Sequence, residues 1–250
     1  MSAVPLLDSV WLVGSGTHPD ALTDPHDCHC YLIWDGAGGL LVDTGTGLGT
    51  RRWLAAVAEV CDPRALTGAV LTHYHADHAG GAAAARAAGI PLLAGAETAE
   101  ALATGDEVRT SLAVARTAGV YPDGYRLAPA TVDRVLAGGD TIAAGGLRVE
   151  VVAAPGHCDG HLVLLLSTGG RTMLFSGDCL FAGGRVSIQA LHDCRLDRYA
   201  ETVIGLAGRD VDTLLPGHGP FVLDAARPDI QAAARSFRRL VPPPNVLQPD

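Results

Sequence analysis

The sequence of 250 residues contains no lysine, so all 18 of its basic side chains are arginine. Lysine is essential to phosphate-binding P-loops, pyridoxal Schiff bases, kinase nucleotide sites and Ser-x-x-Lys acylases. The sequence therefore excludes these four chemistries. Methionine is also scarce, with 2 residues, and Asn245 is the single asparagine, a bias that we attribute to a GC-rich genome rather than to function.

Basic residues are too few to balance the 27 acidic ones, and the net charge is −9. Proteins that grip phosphates usually carry a basic face, so we expect no nucleic-acid partner. Long apolar runs are missing as well: stretches such as Leu162 to Leu166 are far shorter than the ~20 residues of a transmembrane helix. The N-terminus lacks the basic start and apolar core of a signal peptide. We therefore expect neither membrane insertion nor export.

Cysteine is also sparse, with 6 residues, and its spacing matches neither a disulfide scaffold nor a zinc ribbon. Reduced thiols are typical of the cytoplasm, where we expect this protein to reside. Hydrophobic residues make up 48% of the chain, which is sufficient for a substantial core.

Strand-like runs and amphipathic helices divide the chain into two similar halves, each with strands followed by helices. This order predicts an α/β fold with two sheets packed face to face and helices on the outside. We predict a single domain over residues 1–250, with a C-terminal helix at about 225–240. The predicted strands are 10–13, 30–34, 40–42, 69–71, 91–94, 132–136, 146–152, 161–166, 172–175 and 213–215. The other predicted helices are 49–60, 79–88, 96–118 with a break near Gly105, and 197–206.

The chemistry of the first half is concentrated between Thr72 and His78, where His73, His75, Asp77 and His78 follow the strand 69–71. A loop from a strand to a helix is a common position for functional side chains. Imidazole and carboxylate are ligands that Zn²⁺ and Fe²⁺ accept. Four such groups on one loop would be a poor way to build a core. We therefore predict a metal site here.

Three further candidates in the second half have a shared context. His157, Asp178 and His218 each follow a glycine at the end of a predicted strand. Glycine lets the backbone turn at such a point, so that the next side chain can face a site. Each signal is weak alone, but the repetition of one context favours a joint role.

With this order of motifs, the sequence resembles the metallo-β-lactamase superfamily over about residues 8–223. The resemblance implies a four-layer αβ/βα sandwich of two mixed β-sheets with helices on the outer faces, and a binuclear metal site. By position, Asp178 would bridge the two metals. The other implied ligands are His73, His75 and His157 for the first metal, and Asp77, His78 and His218 for the second. Asp43 matches an aspartate that orients ligands, with a simple turn or helix cap as the alternative reading.

The resemblance implies a binuclear hydrolase that holds two divalent ions, with Zn²⁺ as first choice and Mn²⁺ or Fe²⁺ as alternatives. Two such ions share a bridging hydroxide, which attacks an electrophilic carbonyl or phosphorus. Asp77 and Asp178 are the predicted catalytic carboxylates, and Asp77 would take the proton from the nucleophile. No Gly-x-Ser-x-Gly nucleophile motif is present.

Within the superfamily, Asp178 matches glyoxalase II, lactonases, ribonuclease Z and phosphodiesterases better than true β-lactamases, which lack a bridging aspartate. The acidic net charge and the absence of lysine argue against the ribonuclease branch. Glyoxalase II carries a C-terminal glutathione-binding helical domain, whereas a short segment with one helix follows His218 here, so we do not expect glutathione specificity. An ester, lactone or thioester remains as the bond cleaved. The alternatives are a mononuclear iron enzyme resembling persulfide dioxygenases and a phosphodiesterase of the same fold. We expect a small-molecule substrate, with a homodimer as one option.

Four residues are candidates for the substrate pocket. Arg109 and Tyr121 lie in a predicted helical insert at about 96–130, whose alanine, leucine and valine content favours an apolar acyl group. His192 lies on the loop after Asp178. His29 belongs to the run 26–30, which we interpret as a strand edge lining the cleft rather than as a separate metal site. For His161 and Cys158 we predict packing roles.

Overall fold

The computed structural model describes residues 2–248, which form two β-sheets and seven α-helices. The strands are β1 (Val4–Leu7), β2 (Val10–Gly14), β3 (Cys30–Trp34), β4 (Gly39–Val42), β5 (Leu66–Leu71), β6 (Leu92–Gly95), β7 (Arg134–Leu136), β8 (Thr141–Ala144), β9 (Leu147–Ala153), β10 (Leu162–Thr168), β11 (Arg171–Gly177) and β12 (Thr213–Pro216). The helices are α1 (Thr50–Val60), α2 (Ala76–Ala79), α3 (Ala82–Ala87), α4 (Ala96–Thr104), α5 (Leu112–Thr117), α6 (Leu196–Leu206) and α7 (Arg227–Arg238).

The first sheet has seven strands in sequence order, β1 to β7. It is antiparallel from β1 to β4 and parallel from β4 to β7. The turn between β3 and β4 is held by Asp35, whose carboxylate accepts the amides of Ala37 and Gly38. Strands β4 and β6 are buried along their whole length, as is usual for parallel strands covered on both faces.

The second sheet has five strands in the order β12-β11-β10-β9-β8. Strands β11 and β12 are parallel, whereas β9, β10 and β11 pair in antiparallel fashion. Both sheets are therefore mixed and accompanied by helices, and the predicted α/β class is confirmed.

The chain packs into two compact units. The first comprises residues up to Leu136 together with Ala143–Arg148, and the second comprises Ala137–Ile142 and residues from Val149 onward. In the first unit, α1 packs on β2 and buries Trp53. In the second, α6 packs on α7, with the rings of Tyr199 and Phe237 5.9 Å apart. The single domain predicted over residues 1–250 stays a prediction.

Several predicted elements need correction. The predicted helix 79–88 is two helices, because α2 already begins at Ala76 and ends before Gly80, where Gly80 and Gly81 press against the loop 44–46. The stretch 96–118 is not helical throughout: α4 ends at Gly105, whose φ of 65° is left-handed, and α5 begins only at Leu112. Strand β7, predicted among the strands of the second half, pairs with β6 in the first sheet. The helix predicted at about 225–240 is observed as α7.

Among residues 2–248, no helix combines the length and the apolar character that crossing a bilayer requires.

Candidate metal centre

In the first unit, the end of β5 delivers three imidazoles to one place. His73 Nε2 lies 3.1 Å from His75 Nδ1, and the rings of His73 and His78 are 4.1 Å apart. All three histidines are buried. His73 and His75 lie on the loop between β5 and α2. Asp77 and His78 lie on α2 itself, because this helix begins at Ala76 rather than at the predicted residue 79. The predicted cluster of nitrogen donors is therefore observed.

Asp43 supports this cluster from the end of β4. Its Oδ1 accepts the amide of Thr72 at 2.7 Å, and its Oδ2 accepts the Thr72 hydroxyl at 2.9 Å and His78 Nδ1–H at 2.8 Å. With Nδ1 hydrogen-bonded to Asp43, His78 has Nε2 as the nitrogen that its predicted ligand role would use. That nitrogen lies 3.7 Å from Asp77 Oδ2. Asp43 thus makes the contact that its predicted orienting role requires.

Tyr121 reaches the other oxygen of Asp77. Its hydroxyl donates to Asp77 Oδ1 at 3.1 Å, and its ring stacks on that of Tyr125 with centroids 5.1 Å apart. The Tyr125 hydroxyl donates to the carbonyl of Thr46 at 2.7 Å. Burial, with the nearby charge of Asp77 as a second cause, raises the pKa of both phenols far above their ordinary value. Both hydroxyls therefore remain hydrogen-bond donors at neutral pH.

In the second unit, Asp178 lies between two imidazoles. Its Oδ2 is 3.8 Å from His157 Nε2, and its Oδ1 is 3.6 Å from His218 Nε2. His157 Nδ1 donates to the carbonyl of Ser187 at 2.9 Å, which turns Nε2 toward Asp178. The side chains of His157 and Asp178 are buried, and that of His218 is 38% exposed. The three predicted ligands of this unit are therefore neighbours.

Two residues without a predicted functional role hold the backbone of Asp178. His161 Nε2 accepts the Asp178 amide at 3.2 Å, so that its role extends beyond the predicted packing. The hydroxyl of Tyr199, on α6, lies 2.8 Å from the carbonyl oxygen of Asp178 and 2.7 Å from that of Cys179. Tyr199 was not predicted as a site residue, because its position on α6 resembles that of any core residue. The signal that could have found it is that a buried tyrosine needs a partner for its hydroxyl.

The remaining pocket candidates occupy varied surroundings. Arg109 forms an ion pair with Glu100 at 2.7 Å, partly exposed on the surface of the first unit. His192 is 59% exposed and lies 3.7 Å from Asp193. His29 is buried, with Nδ1 2.9 Å from the Ser15 hydroxyl. Substrate contact by these residues and by Tyr121 stays a prediction.

The run 26–30 contributes to the support of the first unit. Asp27 is buried and accepts hydrogen bonds from the Thr23 hydroxyl and from both the amide and the hydroxyl of Thr46. Burial raises the pKa of Asp27 despite these bonds. The Cys28 thiol groups with donor atoms of Asp43 and His78, all within 4.8 Å of one another. Burial raises the pKa of this thiol well above its ordinary value, so that Cys28 stays protonated.

The chain is similar in sequence to known hydrolases. The chain is 25% identical to the thioesterase pkgB of Emericella nidulans over 78% of this chain and 46% of that protein. It is 32% identical to a hydroxyacylglutathione hydrolase of Pseudomonas putida strain GB-1, over 66% of this chain and 52% of that protein. The chain thus spans about half the length of these two relatives.

Solved structures share the fold at low sequence identity. The FEZ-1 metallo-β-lactamase of Legionella gormanii superposes with a TM-score of 0.72 at 17% identity, covering 96% of this chain and 95% of that one. The subclass B3 metallo-β-lactamase BJP-1 of Bradyrhizobium japonicum superposes with a TM-score of 0.70 at 20% identity, covering 96% and 93%. The family model described as "Metallo-beta-lactamase superfamily" matches residues 23–218, most of the chain. With this match and the clustered histidine and aspartate donors, the chain belongs to the metallo-β-lactamase superfamily.

Proposed function

We propose that this chain is a metal-dependent hydrolase that cleaves a thioester, lactone or other carboxylic ester, with thioesters as the first choice. Two relatives support a hydrolase: one is named a thioesterase and another a hydroxyacylglutathione hydrolase. The sequence contains no lysine and no Gly-x-Ser-x-Gly motif, which argues against a serine nucleophile of the Ser-x-x-Lys or the Gly-x-Ser-x-Gly type.

The surroundings of Asp178 carry this proposal. Its two oxygens lie 3.8 Å from His157 Nε2 and 3.6 Å from His218 Nε2, too long for hydrogen bonds. Two ligands of one tetrahedral cation with bonds of about 2.1 Å are roughly 3.4 Å apart, close to both separations. A carboxylate with one imidazole at each oxygen is the donor set that a bridging ligand needs. The residues of the second unit therefore fit divalent metal binding.

We extend the assignment to both units on the basis of the family resemblance. His73, His75 and His157 would hold one ion, Asp77, His78 and His218 the other, and Asp178 both. Zn²⁺ suits these nitrogen and oxygen donors, and Mn²⁺ or Fe²⁺ are the alternatives. When bound, such ions supply Lewis acidity toward a substrate carbonyl and a water nucleophile at neutral pH.

The side chains of the first unit have separate tasks in this proposal. Asp77 accepts the proton of the attacking water, while the Tyr121 hydroxyl holds Asp77 Oδ1. Asp43 fixes the ring orientation of His78 through Nδ1. Asp77 then returns this proton to the leaving thiol or alcohol of the substrate as the acyl bond breaks.

The test is a hydrolysis panel on protein reconstituted with Zn²⁺, Mn²⁺ or Fe²⁺, with bound metal measured by mass spectrometry. The panel contains acyl thioesters, simple and acyl-homoserine lactones, carboxylic esters, phosphodiesters and β-lactams. Asp178→Asn should lose metal and turnover together. Asp212→Asn is the matched control, because this carboxylate of the same unit accepts the amide of Thr172 instead.

The outcomes separate the alternatives. Two ions per chain with acyl-bond hydrolysis supports the proposal. One iron per chain with oxygen uptake would replace it with the persulfide dioxygenase-like reaction, and turnover of phosphodiesters alone would replace it with a phosphodiesterase. An Asp178→Asn variant that keeps both metal and turnover would contradict the assignment of Asp178.

A further inference from the structure

We propose that Tyr199 is a positioning residue that holds two predicted metal ligands of the second unit, Asp178 and His157, through a single hydroxyl group. The inference rests on the proposed function, because it assumes that these two side chains bind metal. Tyr199 is separated from both in sequence and belongs to α6 rather than to either of the segments that carry them.

The first connection runs to the end of β11. The Tyr199 hydroxyl lies 2.8 Å from the carbonyl oxygen of Asp178 and 2.7 Å from that of Cys179. One phenolic proton is shared between these two acceptors, which are the carbonyls of the peptide units before and after Cys179. The main chain next to Gly177, whose φ is 48°, is thereby tied to a helix. The direction in which Asp178 leaves the backbone depends on this tie.

The second connection runs to His157 through Ser187. The amide of Ser187 donates to the Tyr199 oxygen at 3.1 Å, and the carbonyl of the same residue accepts His157 Nδ1–H at 2.9 Å. Tyr199 therefore fixes the residue that sets the orientation of the His157 ring. Hydrogen-bond partners of this kind govern the affinity of metal-ligating histidines.

The surroundings of Tyr199 make it a rigid support. Its side chain is fully buried and packs against Phe237 of α7. The main chain of Tyr199 also touches the turn before His157: a β-carbon added to Gly156 would overlap the Tyr199 backbone. The amide of Arg195 donates to the Gly156 carbonyl at 2.8 Å, which joins the start of α6 to the same turn. Both ligand-bearing segments thus rest on one helix.

The isosteric change Tyr199→Phe removes the hydroxyl while keeping the ring. We expect it to weaken metal retention by about 10-fold, the lower end of the effect of losing a direct partner of a metal ligand, because Tyr199 acts through the main chain of Asp178 and Ser187. The control is Thr213→Val, which removes a buried hydroxyl that donates to the carbonyl of Leu223 in the same unit at 3.0 Å. Zn²⁺ affinity is measured by competition with a chromophoric chelator, together with the rise in melting temperature that Zn²⁺ produces.

A purely structural residue would lower the melting temperature of the metal-free protein and leave the Zn²⁺-induced rise intact, as we expect for Thr213→Val. A Tyr199→Phe variant with wild-type Zn²⁺ affinity would overturn this inference alone. A wild-type protein that retains no Zn²⁺, Mn²⁺ or Fe²⁺ would overturn the proposed function and the inference with it.

Amide hydrogen exchange of the metal-free protein gives a second measurement. In Tyr199→Phe the Ser187 amide loses its acceptor and should exchange faster, whereas the Thr172 amide keeps Asp212 as its acceptor at 2.8 Å and should not change. Equal acceleration of both amides would mean a general loss of structure. That result would assign Tyr199 to the core and overturn the positioning role.

Discussion

The imidazole of His78 donates through Nδ1 to Oδ2 of Asp43 at 2.8 Å, and both side chains are buried. The same carboxylate accepts the amide and the hydroxyl of Thr72. The Thr72 hydroxyl in turn lies 3.0 Å from His73 Nδ1. One carboxylate at the end of β4 therefore sets the orientation of two imidazoles, one directly and one through a threonine.

Replacing Asp43 by asparagine tests this arrangement. Asp43 has a φ of 60°, which asparagine tolerates, so that the backbone should be preserved. The side-chain amide of asparagine has one acceptor oxygen in place of the two carboxylate oxygens that bind Thr72 and His78. We therefore expect metal affinity to fall by about 10- to 100-fold. Chelator competition measures the loss. Asp35→Asn, in an exposed turn of the same unit, is the control, and equal affinities of the two variants would contradict the role of Asp43.

Removing the hydroxyl of Tyr121 tests its contact with Asp77. A hydrogen bond to a charged group contributes about 1.5–3 kcal/mol, so Tyr121→Phe should lower kcat/KM by roughly 10- to 100-fold. We expect the loss in kcat rather than in KM, because the bond contacts Asp77, the carboxylate that we propose as the proton acceptor. Steady-state kinetics on the best substrate of the panel measures both constants. Tyr125→Phe, which removes a bond to the Thr46 carbonyl, should mainly lower the melting temperature.

Two glycines of the second unit provide a matched test of packing. Gly156 has a φ of 146° and faces the Tyr199 backbone, whereas Gly170 has a φ of 75° and no heavy atom lies within 4 Å of a β-carbon added there. Gly170→Ala should lower the free energy of unfolding only through backbone strain, by about 1–2 kcal/mol. Gly156→Ala adds a steric overlap with Tyr199 and should lower the free energy of unfolding by about 3 kcal/mol or more. Urea unfolding of both variants measures the difference. Similar losses of stability in the two variants would contradict the close contact between Gly156 and Tyr199.

The ion pair between Glu107 and Arg116, at 2.7 Å, predicts a pH dependence of stability. The hydrogen bond from Arg116, with its charge as a further cause, lowers the pKa of Glu107. A carboxyl group whose pKa is lowered by folding stabilises the protein above its unfolded pKa of about 4.3, and this contribution is lost as the pH falls through the lower, folded value.

The wild type should therefore exceed Glu107→Gln in free energy of unfolding at pH 7, by less than about 1 kcal/mol for a pair this close to the surface. The difference should shrink as the pH falls below about 4.3, the unfolded pKa of glutamate, in metal-free protein. Urea titrations at several pH values measure it. A gap between the two proteins that is independent of pH would exclude the ion pair as its cause.

Much of the first unit was predictable because its local signals agree. The strand 30–34 matches β3 at both ends, since a continuous run of apolar, β-favouring residues is bounded by a glycine-rich turn. The histidine cluster was predictable for a similar reason: three histidines within six residues at the end of a buried strand have no common structural use.

Other elements depend on contacts that no local pattern reveals. Pro5 argues against a strand, yet β1 forms because it lies at the edge of its sheet, where a missing amide is tolerated. Strand β8 has only four residues and two alanines, too weak a signal to predict. The pairing of β7 with β6 and the hydroxyl contacts of Tyr199 are tertiary relationships, which become visible only in the folded chain.

Asp43 and Thr72 follow neighbouring parallel strands, β4 and β5, whose pairing continues through the hydrogen bond from the Asp43 amide to the Val70 carbonyl. Their separation is dictated by the interstrand distance of about 4.8 Å, which is the same in every β-sheet. Lengthening or exchanging the loops beyond these strands leaves that distance unaltered. Sequence changes confined to those loops should therefore preserve the hydrogen bonds from Thr72 to Asp43.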